Sequence, residues 1–218
     1  IRSPVARRVF GVALEFGRAP HVALHQNTRA NTAERNGRGK VLRLAGDDVF
    51  RGSDLGDEEW AAIDRFYRST AARKWGQPYL SRSFFQEIRS TFPDAVRFAV
   101  ARREGRILAG ALFFERGDAL YGRYWGCDAR HQHLHFETCF YAPIEDCIDR
   151  GIQRYEAGAQ GEHKIPRGFD PVPVHSAHWI ANPGLSEAVE AFCRAEGEHS
   201  RRVIALLARH SPFGESRG

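Results

Sequence analysis

The sequence predicts an α+β domain, a mixed and mostly antiparallel sheet flanked by helices, and three observations carry that expectation. Val96 to Arg102, Arg106 to Glu115 and Ala119 to Gly126 are apolar or alternating runs joined by tight turns, which is the pattern of an antiparallel meander. Two amphipathic stretches with helix-start chemistry come before it. After it, helical and strand-like segments alternate around a short glycine-rich turn.

Taken in order, Lys40-Val-Leu-Arg-Leu alternates well enough for a short strand. A helix is expected from Asp57 to Trp75: Asp57, Glu58 and Glu59 suit its N-terminal dipole, and Trp60, Ile63, Tyr67 and Ala71 form an apolar stripe. It stops near Gly76. A second helix opens at Ser83, with Gln86 completing a capping box, and buries Phe84 or Phe85, Ile88 and Phe92 until Pro93 ends it. In the meander, Arg106 to Glu115 is nearly all apolar, as a central strand covered on both faces should be.

Phe136 to Gly151 reads as a helix in which Pro143 is either a kink or the true first turn, with Gly151 as its C-terminal cap. A strand at Arg154–Ala157, a polar turn and a strand from Val172 to Ile180 follow. A last helix from Pro183 carries Leu185, Ala188, Val189 and Phe192 inward. A continuation after Gly197 carries Val203, Leu206 and Leu207.

The 218 residues are enough for one domain with a core. The formal charge of +5 is unevenly placed. Residues 1–40 hold eight basic and two acidic side chains, leaving 24 basic and 25 acidic in the rest, so the total charge does not argue for nucleic acid. No run has the roughly eighteen apolar residues of a membrane span, and no clean apolar leader is read at the N-terminus. Cys127, Cys139, Cys147 and Cys193 have no CxxC spacing and read as reduced, mostly buried thiols, which suits the cytoplasm. Residues 1–39 show no sustained period and are expected to be mobile or a remnant; the domain is assigned to 40–212 and a tail to 213–218.

The chemistry concentrates between Tyr121 and Trp179. The turn after Arg154–Ala157 crowds Glu156, Gln160, Glu162, His163, Lys164 and Arg167 among Gly158, Gly161 and Gly168; such loops after strands carry sites, although a solvated charged turn has the same composition. Tyr121, Arg123 and Trp125 alternate onto one strand face, as a groove wall or as cross-strand packing. His131, His133 and His135 alternate with Glu137, and in an extended chain all four would point one way, towards a metal; that is the alternative class, a metal-dependent hydrolase or metal-binding protein. His178 steps with the valines of its strand and suits a core histidine. Ser176 has no nucleophile elbow, and no cysteine sits in an activating setting.

The segments RKWGQPYL (Arg73–Leu80), AGALFF (Ala109–Phe114), LYGRYWG (Leu120–Gly126), HFETCFY (His135–Tyr141), EAGAQGEHKIPRGF (Glu156–Phe169) and SAHWI (Ser176–Ile180), in that order, resemble the C-terminal half of FemAB-like bacterial proteins. The order of elements is similar to the acyltransferase fold of the GNAT superfamily. The resemblance covers roughly residues 40–210. It implies a GNAT-like fold and transfer of an acyl or aminoacyl group from acyl-CoA or aminoacyl-tRNA to a small-molecule or peptide amine, with a cell-wall precursor as one acceptor. The donor is then a substrate, with tRNA as a partner, and no tightly bound cofactor is expected. Where the GNAT donor site has a glycine-rich turn opening a helix, this chain has Cys127-Asp-Ala-Arg-His-Gln-His-Leu-His, with no glycine after Gly126.

Such a transfer needs a base for the amine proton and donors for the developing oxyanion. Within the matching motifs Glu137 and Glu162 are the expected bases, with His163 next and Glu156 orienting the amine. Lys164 and Arg167 are expected to hold a phosphate or carboxylate. Tyr121, Arg123, Trp125, Gln160, Phe169 and His178 complete the expected substrate contacts.

Overall fold

The computed structural model describes residues 7–16, 49–129, 131–158 and 162–210. In chain order these form β1 (Arg7–Phe16), β2 (Val49–Arg51), α1 (Asp57–Trp75), α2 (Arg82–Thr91), β3 (Val96–Arg103), β4 (Arg106–Arg116) and β5 (Ala119–Cys127). A helical run, α3, follows in three parts: Leu134–Phe136, a π-helical turn Glu137–Tyr141, and Ala142–Asp149. Then come β6 (Arg154–Glu156), β7 (Asp170–His178) and α4 (Pro183–Ala208). The strand expected at 40–44 and the side chain of Gln160 lie outside the described residues. The chain divides into two units, Arg18–Tyr155, and Ile1–Gly17 with Glu156–Gly218.

In the first unit the strands stand in the order β2-β3-β4-β5-β6, and the pairs from β2 to β5 are antiparallel. The α+β class is as expected, a mixed sheet with helices on its faces. The bounds of α1 also match. Trp60, Ile63, Tyr67 and Ala71 are all buried, and the Gly56 N–H donates to Glu59 Oε2 at 2.9 Å, closing the first turn. α2 begins one residue before the expected cap. Ser81 rather than Ser83 accepts the Phe84 N–H, at 3.2 Å, and Phe85 and Ile88 face the core. The two helices and β3 close one apolar cluster with Phe98, Val100 and Leu112.

That packing is close because two glycines face each other across the sheet. Gly110 pairs with Gly126; a Cβ on Gly126 would lie 2.6 Å from both Cβ and the carbonyl oxygen of Phe66 in α1. A Cβ on Gly110 would strike the Phe98 ring. The absence of side chains here lets aromatic residues lie on the sheet.

The other face is set by a register shift. Leu112 pairs with Tyr124 but Phe113 pairs with Gly122, so Arg123 is an extra residue in β5. Paired residues share a face, so Tyr121 follows Phe114 and Trp125 follows Ala111, on opposite sides. The expectation that Tyr121, Arg123 and Trp125 form one wall is therefore corrected: simple alternation fails at a bulge.

α3 replaces the single helix expected over 136–151. It starts earlier, and Pro143 sits in the first turn of its last part. A proline there has no N–H to offer the Cys139 carbonyl four residues back. The Tyr155 hydroxyl donates to that carbonyl instead. The extra residue of the π turn also takes Cys139, which is only half-buried, out of helical step with buried Cys147. The C-terminus closes as expected at Gly151, φ 72°, with Ile152 N–H on Cys147 O at 2.8 Å and Gly151 N–H on Ile148 O at 3.2 Å.

In the second unit, β1 pairs antiparallel with β7, from Arg7 opposite His178 to Glu15 opposite Asp170. This strand lies within the stretch whose sequence shows no sustained period. α4 packs on both strands. It is continuous through Gly197, and the face it turns inward is Cys193, Gly197 and Ser200. Small side chains there allow close approach, and Leu185 and Phe192, expected inward, are exposed.

Gly126→Ala is expected to destabilise the protein by about 1–3 kcal/mol, because the backbone of Phe66 cannot step aside as a side chain could. Urea unfolding measures this; an unchanged midpoint would show that α1 is not held against β5 as described.

Candidate functional site

In the first unit the strand end and the π turn are joined by one polar chain. Trp125 Nε1–H donates to Thr138 Oγ1 at 2.7 Å, and the Thr138 hydroxyl donates to Leu134 O at 2.9 Å. Thr138 is fully buried, so its hydroxyl is committed to these partners. On the α1 side, Thr70 Oγ1 donates to the Trp125 carbonyl at 2.8 Å, fixing the strand end from both faces. The indole stands edge-on to the His135 ring, with centroids 5.0 Å apart, and His135 also packs against Phe140 at 5.5 Å. Glu137 opens the π turn, partly exposed, beside Thr138.

Thr138 and Tyr155 were not among the sequence candidates. The burial of Tyr155 raises its phenol pKa well above 10.0, so the hydroxyl stays protonated and keeps the Cys139 carbonyl as its acceptor. The only sequence signal for either residue is position: Thr138 follows Glu137 in HFETCFY, and Tyr155 precedes Glu156.

The three histidines do not line up. His133 adopts a left-handed conformation (φ 65°) that caps the run, and His135 and Glu137 are already helical. The extended chain that a shared metal would need is absent here, and among the described residues no three His, Cys, Asp or Glu side chains could hold an ion. The amides at this start are turned onto the backbone: Leu134 N–H on His131 O at 3.4 Å, and Phe136 and Glu137 N–H on His133 O at 2.9 and 3.2 Å. Tyr121 accepts from Arg154 at 3.2 Å, and the Arg123 guanidinium lies 6.0 Å from the Tyr121 ring centre. Cysteine nucleophiles gain no support. Burial raises the thiol pKa of Cys127, and that of Cys147 to about 12.

In the second unit the turn after β6 is tied by Lys164. Its residue is buried, and its ammonium donates to Ala157 O at 2.7 Å and Gly158 O at 3.1 Å. Gly158 takes φ 88°, which only glycine adopts freely. Lys164 thus shapes the turn, where a ligand contact was expected. The 3-10 turn Glu162–Arg167 continues with the Arg167 guanidinium donating to the His163 carbonyl, and it ends at Gly168, φ 90°. Phe169 is fully buried; the expected substrate contact is a core side chain. His178 is exposed, as are Val174, His175 and Ala177, residues of both faces of β7, so it is not the core histidine that strand alternation suggested. The side chains of Glu162 and Ser176 lie outside the described residues.

His163 is at the surface, yet its imidazole pKa is lowered, first by partial desolvation of the ring and then by the charges of Lys164 and Arg167. The ring is therefore neutral at pH 7 with a lone pair to accept a proton.

The fold is an α+β domain, a mixed sheet flanked by helices, as the order of elements implies. The chain belongs to the FemAB-like family, described as peptidoglycan biosynthesis/recognition, whose family model matches residues 24–215. Among solved structures it is similar to a functionally unknown conserved protein from Staphylococcus epidermidis ATCC 12228, at 14% identity and TM-score 0.44, over 80% of this chain and 62% of that one. It is also similar to a GCN5-related N-acetyltransferase from Sphaerobacter thermophilus, at 12% identity and TM-score 0.42, over 81% of this chain and 54% of that one. The chain thus spans less than two thirds of either. Comparison with curated proteins gives no match. Among the described residues no helix is long and apolar enough to cross a membrane.

NMR titration of His163 is expected to give a midpoint below the ordinary 6.5. Because the unfolded chain binds this proton more readily, stability should fall as pH drops below 6.5 and level off beneath the folded pKa. Lys164→Met removes one cation and should move the midpoint up; a wild-type midpoint at or above 6.5 would contradict the described surroundings.

Proposed function

We propose that the chain is an N-acyltransferase domain that moves an acyl or aminoacyl group from an activated donor to an amine, with a cell-wall precursor as acceptor. Membership of a family described by peptidoglycan biosynthesis/recognition is the observation that carries this reading. Glu137 and Glu162 serve as bases, His163 accepts a proton in its neutral form, and Glu156 orients the ammonium before it is deprotonated. The amine then attacks the donor carbonyl, and the thiol or tRNA hydroxyl leaves with the acyl carbon's bonding pair. Trp125, beside the turn of Glu137, and Arg167 contact substrate, and Lys164 holds its own turn in shape. No resident cofactor enters the reaction, and the setting is the cytoplasm, where both donors are made.

Between the two donors, aminoacyl-tRNA is favoured. Acyl-CoA would need backbone amides to cradle its pyrophosphate. The amides of Leu134, Phe136 and Glu137 already donate to backbone carbonyls, and the space at Gly126 is filled by Phe66. The same observation favours a second reading, a peptide- or glycan-binding module on this fold.

Transfer of labelled amino acid from charged tRNA, or of acetyl from acetyl-CoA, to a cell-wall precursor tests the proposal. Glu137→Gln is expected to lower kcat by about 10²-fold or more with little change in KM. Turnover with neither donor, alongside thermal stabilisation by a cell-wall peptide, would replace the transferase with the binding module.

A further inference from the structure

The exposed side of α4 carries a pattern that its inward face does not use. Leu185, Val189, Phe192, Glu196, His199, Val203 and Leu206 recur in alternating steps of four and three, the spacing of a helix-pairing seam. Leu185, Phe192 and Leu206 are 56%, 64% and 56% exposed, unusual for large apolar side chains on a helix that already packs on two strands. The helix contacts its own unit through Cys193, Gly197 and Ser200, a different strip of its surface.

We propose that this seam is the dimer interface between two copies of the chain, with their α4 helices antiparallel about a two-fold axis between Glu196 and His199. The choice of a second copy follows from the order of residues along the seam. Antiparallel pairing about that point sets Val189 against Leu206 of the other copy and Phe192 against Val203. It also sets Glu196 against the other copy's His199, twice over by symmetry. Val189, Phe192, Val203 and Leu206 thus meet one another, Leu185 lies past the end of the other copy's helix opposite its His210, and the one acidic position meets an imidazole that can donate to it. A parallel pair would set Glu196 against Glu196 and is disfavoured. Ala188 and Ala195, exposed beside the seam, leave room for close approach. At about 1.5 Å per residue, the 26 residues of α4 give a contact of about 39 Å in length. The inference is independent of the transferase reading.

Light scattering of the full chain across a dilution series tests it. The expected result is a concentration-dependent mass approaching twice 24.6 kDa. Phe192→Glu should weaken the dimer by about tenfold or more while circular dichroism stays unchanged, since the residue lies outside the core. His199→Glu and Glu196→Lys should each weaken it. The two together should restore it, because the introduced ammonium of one copy then meets the introduced carboxylate of the other across the axis. A monomer at every concentration, a dimer indifferent to Phe192→Glu, or a double variant weaker than both single ones would overturn the proposal.

Discussion

The extra residue Arg123 in β5 decides what each face of the sheet can hold. It lets Tyr124 turn towards α1, where its ring packs 4.7 Å from Tyr67 and its hydroxyl bonds Tyr79. Desolvation, and then that bond, raises the Tyr124 pKa, so its phenol stays neutral. One residue later Trp125 turns to the other face and reaches Thr138. With strict alternation through this stretch, Trp125 would stand on the side occupied by α1, and Thr138 would lose the donor that fixes the π turn. The position of Glu137 therefore depends on an irregularity in a strand it does not belong to.

The helix accommodates a second irregularity. Pro143 denies the Cys139 carbonyl a helical partner, and the Tyr155 hydroxyl takes its place from β6. Buried carbonyls left without a donor cost about 1–3 kcal/mol, so this cap is a substantial tie between the turn and the strand. A partly buried charge chain fixes the same helix to β4: Glu115 receives buried Arg97 at 3.0 Å and Arg150 at 2.7 Å, and Arg150 also grips Asp146. Burial lowers the Arg97 pKa, with Glu115 acting against it. Such a set costs solvation when formed, and losing one member costs more, which favours a single arrangement.

Where periodicity and local capping decide structure, the sequence was readable. α1 and the meander follow from stripes and turns, and Gly151 from the need for a left-handed cap. Legibility ended where a long-range partner decides. Nothing local marks Arg123 as an insertion, because its neighbours alternate well on paper. Pro143 announced a disturbance in α3, but a π turn needs the Tyr155 hydroxyl to be favourable, and that residue is twelve positions further on. In α4 the sequence offered two faces, one large and apolar and one small. Proximity to β1 and β7 selected the small one, so the expected inward residues point outward. Of the candidate site, the turn and its charged residues were legible as a cluster. Their division of labour was not: Lys164 binds backbone, and Phe169 is core.

Lys164 is one of only three lysines in the sequence, the others being Lys40 and Lys74. An ammonium that gives protons to two carbonyls and lies inside the loop has no lone pair to present to an electrophile. Arginines supply the other 29 of the chain's 32 basic side chains, groups that stay charged and carry no nucleophilic amine.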